Sequence, residues 1–175
     1  MNDLDDLALI YGDPEVRRYF PEGTLSCEET REELEWIIDV YYGRFGFGLW
    51  ATIYKETGAF IGRCGLLPWS IIIGEEDAPS LGAISEHPFE PPASEVEVAY
   101  LLAKDYWRRG LGTEAAQAIV DYGLDELHLS RLICLIDPAN RGSAGVARNI
   151  GMTLEREMEL DGELMSLYSI SSERA

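Results

Sequence analysis

The sequence contains few of the residues that would indicate a metal site, a disulfide framework or a basic surface. It has three cysteines and two histidines, and Cys27, Cys64 and Cys134 are widely separated. This spacing fits neither paired disulfides nor a metal-ligand cluster, so we expect no metal and interpret the cysteines as small core residues. Lysine is also scarce, since Lys55 and Lys104 are its two occurrences.

Long apolar runs are also missing. Those present, such as residues 132–136, fall far short of the roughly 20 residues that a membrane-spanning helix needs. The first residues, MNDLDDLALIYGD, are acidic where a secretory signal is basic. We therefore expect a cytoplasmic protein without a membrane partner.

Acidic residues dominate the charge of the chain. The sequence has 32 Asp and Glu against 14 Lys and Arg, which gives a formal net charge of −18 at pH 7. A protein that neutralises phosphates needs a basic face, so this charge argues against nucleic acid as a partner. The charge either attracts a cationic partner such as an amine or serves solubility, and both interpretations stay open.

The first third of the chain has helical patterns. With 175 residues, 46% of them apolar, the chain suits one well-buried core, so we predict a single domain over residues 1–175. Helical spacing predicts a helix over the first residues, Asp13-Pro14 predicts a second helix start, and Ser26 with Glu29 predicts a capping box on a third. Residues 47–54 and 59–67 then have the pattern of a β-hairpin.

Residues 74–94 carry four prolines and several acids, which predicts a long acidic loop; a substrate lid, a partner contact and disorder all remain open for it. Beyond the loop, the pattern predicts strands over 96–102, 131–136, 152–160 and 164–170, and helices over 111–128 and 142–150. The spacing in the first of these helices predicts a buried face of Leu111, Ala115, Ala118, Ile119 and Tyr122.

Residues 95–116, EVEVAYLLAKDYWRRGLGTEAA, are the most informative segment. An alternating strand is followed by Arg108, Arg109, Gly110 and Gly112, and then by a helix start. Glycine allows the backbone to approach an anion, a helix N-terminus favours negative charge, and arginine offers forked donors that match phosphate oxygens. The segment therefore predicts a site for a phosphorylated cofactor.

Several cofactors could occupy such a site. A nucleoside-triphosphate loop needs glycine followed by lysine, and the chain has no Gly-Lys pair. A dinucleotide site is closer, because residues 110–115 fit G-x-G-x-x-A. That fingerprint, however, opens directly off a buried parallel strand, whereas residues 103–109 intervene here.

The third candidate, coenzyme A, follows from a family resemblance. The chain resembles the GNAT acetyltransferases, and more narrowly the RimJ/RimL-like branch that acetylates ribosomal-protein N-termini. The motifs that carry the resemblance are Glu97-Val98-Ala99-Tyr100, Tyr106-Trp107, Gly110-Leu111-Gly112-Thr113-Glu114-Ala115, Asn140-Arg141-Gly142-Ser143 and Gly151-Met152. They occur in the family's order and span most of the chain.

The resemblance implies an α+β fold, the GNAT acyl-CoA N-acyltransferase fold, with a mixed, mostly antiparallel sheet and helices on both faces. It implies acetyl-CoA as the cofactor and a set of binding residues, namely Leu101, Leu102, Arg108, Arg109, Gly110, Leu111, Gly112, Thr113 and Asn140. The family's first strand is missing before the predicted helices. Two explanations stay open, a truncated start or a strand supplied by a second copy in a homodimer.

The resemblance also implies catalytic roles. Glu97 stands at the family's frequent catalytic glutamate and is the candidate base, with substrate orientation as its alternative. Many relatives protonate the leaving thiolate with a tyrosine that is Ala147 here, so Ser143 is the candidate acid, with helix capping as its alternative. The predicted activity is direct acetylation of a primary amine, either a protein N-terminus or a small cationic amine. An acetyl-CoA-binding sensor or regulatory domain without turnover and a dinucleotide-binding enzyme stay open as alternatives.

Overall fold

The computed structural model describes residues 3–69 and 95–172. The helices are α1 (Leu4–Tyr11), α2 (Cys27–Trp36), α3 (Gly43–Phe45), α4 (Leu111–Asp121) and α5 (Arg141–Asn149). A π-helical turn follows α2 at Ile37–Tyr42 and another follows α4 at Tyr122–Glu126, and a 3-10 turn lies at Lys104–Tyr106. Within this part of the chain, no helix is long and apolar enough to cross a membrane.

The strands form one mixed sheet. They are β1 (Leu49–Tyr54), β2 (Ala59–Trp69), β3 (Glu95–Leu102), β4 (Arg131–Ile136), β5 (Thr153–Leu160) and β6 (Glu163–Ser171), in the order β1-β2-β3-β4-β6-β5. The pairs β1 with β2, β4 with β6, and β5 with β6 are antiparallel, whereas β3 and β4 are parallel. The predicted α+β fold with a mixed, mostly antiparallel sheet is confirmed.

The described residues belong to two compact units. The first draws on Met1–Gly65 and Ala99–Ala116, and the second on Leu66–Val98 and Gln117–Ala175. The elements β2, β3 and α4 each contribute residues to both units. The single domain over residues 1–175 stays a prediction, and the predicted loop at residues 74–94 lies outside the described residues.

In the first unit, a buried polar network joins α1, α2 and β2. The Tyr11 hydroxyl donates to a Glu33 carboxylate oxygen at 2.8 Å and accepts a hydrogen bond from Arg63 Nε. Burial raises the pKa of Tyr11, so the hydroxyl stays protonated and can donate. Around it, the apolar face of α1 packs with Val16 and Leu101. This network links residues up to 52 positions apart and has no local signal in the sequence.

The predicted helix starts had different outcomes. The capping box is confirmed, because Glu29 N–H bonds to Ser26 Oγ at 3.3 Å and Ser26 N–H to the Glu29 carboxylate at 2.7 Å. The helix predicted at Asp13-Pro14 is wrong. Asp13 Oδ1 accepts a hydrogen bond from Glu15 N–H in a local turn, which offers the backbone an alternative to helix.

The predicted buried face of α4 is also partly wrong. Ala116 and Val120 are buried, whereas Ala118 and Tyr122 are exposed. The predicted and the observed buried residues differ by a rotation about the helix axis. Alanine suits both buried and exposed positions, so the short run of alanines in α4 does not determine which face is buried. The helix ends as α-helix at Asp121, and its last predicted turns are π-helical.

The second unit has its core between β4, β5 and β6. Ile133, Leu135, Leu160 and Leu167 are buried together, and Trp69, Met158 and Met165 pack against them. Five of the six residues of β4 are buried, as expected for a strand with neighbours on both sides. Its predicted bounds, residues 131–136, agree with the structure.

Candidate active site

In the first unit, the end of β3 leads into the loop that the sequence predicts as an anion site. After Leu102 the chain makes a 3-10 turn, and Trp107 Nε1 donates back to the Leu102 carbonyl at 2.7 Å. Arg108 and Gly110 both have left-handed backbone, with φ of 58° and 80°. Helix α4 then begins at Leu111, and Glu114 N–H bonds to the Gly110 carbonyl at 3.0 Å.

This loop supplies the local geometry of an anion site. The first N–H groups of a helix lack partners within the helix, and at α4 they belong to Leu111, Gly112 and Thr113. The left-handed turn at Gly110 favours glycine, since φ of 80° strains other side chains. Gly112 lies in the first turn of α4 and does not have positive φ, so its backbone conformation does not require glycine.

The two loop arginines have different surroundings. Arg109 Nη2 donates to the Tyr54 hydroxyl at 2.8 Å, and its guanidinium carbon lies 4.8 Å from the Tyr54 ring centroid and 5.3 Å from that of Tyr106. The two rings contact each other edge to face at 5.6 Å. Both arginines are exposed. The aromatic contacts therefore orient Arg109 before any ligand arrives, because a guanidinium over a ring face is held electrostatically.

The side chains of Leu101 and Leu102 are buried. Their backbone lies close to β2, because a Cβ built at Gly62 would come within 2.1 Å of the Leu101 carbonyl oxygen. The Ile61 carbonyl accepts a hydrogen bond from Ala103 N–H at 2.8 Å. Gly62 thus permits the close approach that fixes the end of β3.

In the second unit, Glu97 lies where β3 and β4 separate. The described register between these strands consists of one pair, Glu97 with Ile133. Beyond it, Leu135 N–H bonds to Glu97 Oε1 at 3.3 Å, and Val98's carbonyl accepts the Cys134 thiol at 3.1 Å. Beyond the Glu97–Ile133 pair, hydrogen bonds that involve side chains therefore replace the backbone hydrogen bonds of the ladder. We call Trp69, Glu97, Leu135 and the Val98–Cys134 contact the Glu97 fork.

The Glu97 carboxylate has neutral donors on both oxygens. Trp69 Nε1 donates to Oε2 at 2.7 Å, and Leu135 N–H bonds to Oε1. Such donors favour the charged carboxylate without neutralising it. The arrangement can hold an oriented anion that accepts a proton.

Glu95, two residues earlier on β3, has a charged partner instead. Arg131 Nε lies 3.1 Å from both Glu95 oxygens, and Arg131 Nη1 and Nη2 lie 2.5 and 2.9 Å from Glu155. Ser169 Oγ donates to Glu155 Oε1 at 2.6 Å. Glu155 is the extra residue of a bulge in β5, which re-aims its side chain. We call Glu95, Arg131, Glu155 and Ser169 the Arg131 clamp; it crosses β3, β4, β6 and β5 in turn.

The start of α5 brings together two more predicted residues. Asn140 is its N-cap residue, and Asn140 Oδ1 accepts a hydrogen bond from Ser143 N–H at 3.1 Å. The capping role thus belongs to Asn140, and Ser143 lies in the first turn. Ala147, which stands where many relatives have tyrosine, is fully buried and has no group that could donate a proton.

The buried cysteines are poor candidates for a covalent acetyl-enzyme. Cys134 is 1% exposed and donates to the Val98 carbonyl. In the first unit, burial raises the pKa of the Cys64 thiol to about 12. Because the thiolate is the nucleophilic form, burial leaves such a group unreactive at neutral pH.

Several residues of these arrangements escaped the sequence analysis. Trp69 and Tyr54 lie 28 and 55 positions from the side chains they contact, and Glu155 reaches Arg131 because of a bulge. None of the three belongs to a motif. The one signal in the sequence is Trp69 itself, a tryptophan that follows the apolar strand pattern of residues 59–67.

Comparison with known proteins agrees with the predicted motifs. Residues 1–153 match the family model described as "Acetyltransferase (GNAT) domain". The uncharacterized protein YkkB of Bacillus subtilis (strain 168) is 30% identical over 175 residues, which covers 98% of this chain and 90% of YkkB.

Solved structures share the fold. An acetyltransferase from Agrobacterium tumefaciens str. C58 superposes with a TM-score of 0.72 at 25% identity, covering 98% of this chain and 86% of that one. RimL, a ribosomal L7/L12 α-N-protein acetyltransferase in complex with coenzyme A, superposes with a TM-score of 0.71 at 17% identity, covering 97% and 89%.

Proposed function

This chain belongs to the GNAT acetyltransferase family, and we propose that it moves an acetyl group from acetyl-CoA to a primary amine. The transfer is direct, within a complex that holds both substrates. The amine nitrogen attacks the thioester carbonyl carbon, the carbon–sulfur bond breaks, one amine proton goes to a base, and the sulfur takes a proton as it leaves.

The observation that carries the proposal is the Glu97 fork. An α-amino group has an ordinary pKa of about 8, so much of it is protonated at neutral pH and cannot attack. An oriented carboxylate that keeps its charge can accept that proton, directly or through one water. Glu97 is the proposed base, because the Trp69 indole and the Leu135 backbone amide orient its carboxylate.

The loop before α4 supports acetyl-CoA as the donor. The N–H groups of Leu111, Gly112 and Thr113 follow the left-handed turn at Gly110 and lie at a helix N-terminus, which suits a diphosphate. Arg108 and Arg109 add positive charge beside these N–H groups. We assign backbone amides near Leu101 and Leu102 to the acetyl carbonyl and the pantetheine arm, with Asn140 also on that arm.

Ser143 is the proposed donor of the proton that the thiolate takes. With alanine at position 147, the first turn of α5 offers the Ser143 hydroxyl in place of the family's tyrosine. The capping bond of Asn140 uses the Ser143 backbone N–H, so it does not compete for the hydroxyl. A helix N-terminus also favours the developing negative charge of a thiolate.

For the acceptor, we propose a protein N-terminus first and a small cationic amine second. The RimJ/RimL-like motifs and the shared fold with RimL support the first. The strong negative charge of the chain is compatible with both, since each acceptor is cationic.

The test of the function is release of thiol from acetyl-CoA across a panel of N-terminal peptides, a polyamine and an aminoglycoside. Acetylation of a peptide at its α-amino group, verified by mass spectrometry, is the expected result. Binding of acetyl-CoA with no release for any acceptor would instead favour a sensor without turnover.

The role of Glu97 is tested by Glu97→Gln, with Glu95→Gln as the matched control on the same strand. We expect the Glu97 variant to lose about 10²-fold or more in kcat, because the base is removed. The loss should be largest below the pKa of the amine, where deprotonation is needed most, with acetyl-CoA affinity unchanged. The control should keep kcat, and an unaltered pH–rate profile for Glu97→Gln would contradict the assignment.

A further inference from the structure

The indole of Trp69 is directed at the Glu97 carboxylate from the end of the neighbouring strand. Its Nε1 donates to Glu97 Oε2 at 2.7 Å, the shorter of the two hydrogen bonds of that carboxylate described above; Leu135 N–H lies 3.3 Å from the other oxygen. Two donors from different strands determine a plane for the carboxylate. Loss of the shorter of these bonds removes one of the restraints on rotation about the last side-chain bond.

Packing holds the indole itself in place. Trp69 is half-buried and packs against the cluster of Ile133, Leu135, Leu160 and Leu167. The indole therefore packs against this apolar cluster while its N–H reaches Glu97 on β3. Because a tryptophan has two side-chain torsions, contact along the ring restrains both.

From this geometry we propose that Trp69 is a positioning residue for the acetyl transfer, which orients Glu97 through its indole N–H without touching the substrate. The inference rests on the proposed function of Glu97 as the base. A base contributes to the rate when its oxygen is aimed at the proton that it takes, so a freely rotating carboxylate spends less time in the productive geometry.

The test is a double-mutant cycle with Trp69→Phe, Glu97→Gln and the combined variant. Phenylalanine keeps an aromatic ring against the cluster of Ile133, Leu135, Leu160 and Leu167 and removes the N–H. We expect Trp69→Phe to lower kcat about tenfold, the rate equivalent of one lost hydrogen bond to a charged group, with the KM for acetyl-CoA unchanged. In the Glu97→Gln background, the same substitution should have no further effect on kcat.

Trp36→Phe is the matched control. Trp36 lies on α2, is 38% exposed and contacts Tyr41 edge to face. The substitution Trp36→Phe should leave kcat unchanged, both in the parent protein and in the Glu97→Gln variant. Each variant is assayed below the unfolding midpoint of the least stable one, and Trp69→Leu provides a second side chain without N–H if Trp69→Phe does not fold.

The outcomes separate the two proposals. If Glu97→Gln leaves kcat unchanged, the role of Glu97 as base is wrong and the positioning role falls with it. A different outcome is that Glu97→Gln lowers kcat while the fold reduction in the combined variant equals the product of the two single reductions. In that case Trp69 acts independently of Glu97, by supporting the fold, and the positioning role alone is overturned. An unchanged kcat for Trp69→Phe would overturn it as well.

Discussion

Glu95 and Glu97 lie two residues apart on β3, and the structure gives them opposite environments. In the Arg131 clamp, Glu95 is held by a guanidinium that also binds Glu155. In the Glu97 fork, the carboxylate meets an indole and a backbone amide. Donors of either kind favour the charged carboxylate; the guanidinium also joins Glu95 to Glu155, whereas the indole and the amide orient Glu97 where the ladder to β4 ends.

We infer that the partners of each strand glutamate determine whether it stabilises the sheet, as expected for Glu95, or serves as the proposed base, as expected for Glu97. Both side chains are half-buried and point to the same side of the strand. The clamp joins four strands through polar side chains at one end of β3, and the fork lies where the ladder to β4 ends. We therefore expect substitutions in the clamp to alter stability, and substitutions in the fork to alter the rate.

The largest effect on stability should come from Arg131→Met, which leaves Glu95 and Glu155 without their shared partner. The side chain of Arg131 is 29% exposed, that of Glu95 18% and that of Glu155 34%. This partial exposure places the cost between that of an exposed pair and a buried one, at about 2 kcal/mol of unfolding free energy. Urea unfolding measures it.

Arg156→Met is the control for the loss of one positive charge on the same sheet, since Arg156 is exposed on β5 beside Glu155. Its cost should stay within about 0.5 kcal/mol. Once folded, the Arg131 variant should keep the kcat of the parent. A loss of rate as large as that of Glu97→Gln would erase the distinction between clamp and fork.

The cost of Arg131→Met should also depend on pH. Hydrogen bonds from Arg131, and then from Ser169, hold the pKa of Glu155 at about 2, below its ordinary value. A lowered folded-state pKa contributes stability above the unfolded pKa, and this contribution is lost as the pH falls towards the folded value. The difference between parent and variant should therefore be largest above about pH 5 and shrink towards pH 2.

Unfolding curves for parent and variant across this pH range measure the shrinkage. Comparing the two proteins removes the general gain that an acidic chain obtains when its carboxylates are protonated. A difference that stays constant from neutral pH to about pH 2 would mean that Arg131 stabilises through packing of its stem rather than through the carboxylates.

The smallest effect should come from Ser169→Ala, which removes the hydroxyl that donates to Glu155 at 2.6 Å. Ser169 is buried and alanine nearly preserves its shape, so the expected loss is about 1 kcal/mol of unfolding free energy with no change in kcat. Thermal or urea unfolding, followed by an activity assay, would check both. A reduced kcat would extend the catalytic arrangement beyond the fork and weaken the comparison.

Local patterns in the sequence predicted much of the fold. The capping box at Ser26, the hairpin of β1 and β2, and the bounds of β4 depend on neighbouring residues, and the structure agrees with each. Asp13-Pro14 misled because an aspartate that bonds to a nearby N–H suits a turn as well as a helix start. The face of α4 was uncertain because its alanines fit either side.

In the candidate site too, some features follow from neighbouring residues and others from contacts between distant ones. Gly110 and the helix start at Leu111 belong to one continuous motif, so the sequence by itself determined that a turn and a helix N-terminus follow β3, and with them the family. The partner of each glutamate on β3 was decided by tertiary structure alone. Trp69, Leu135 and Arg131 come from 28 to 38 positions away, and the β5 bulge aims Glu155 at Arg131. Register and packing between strands, which no local pattern records, therefore distinguish the proposed base from the clamp beside it.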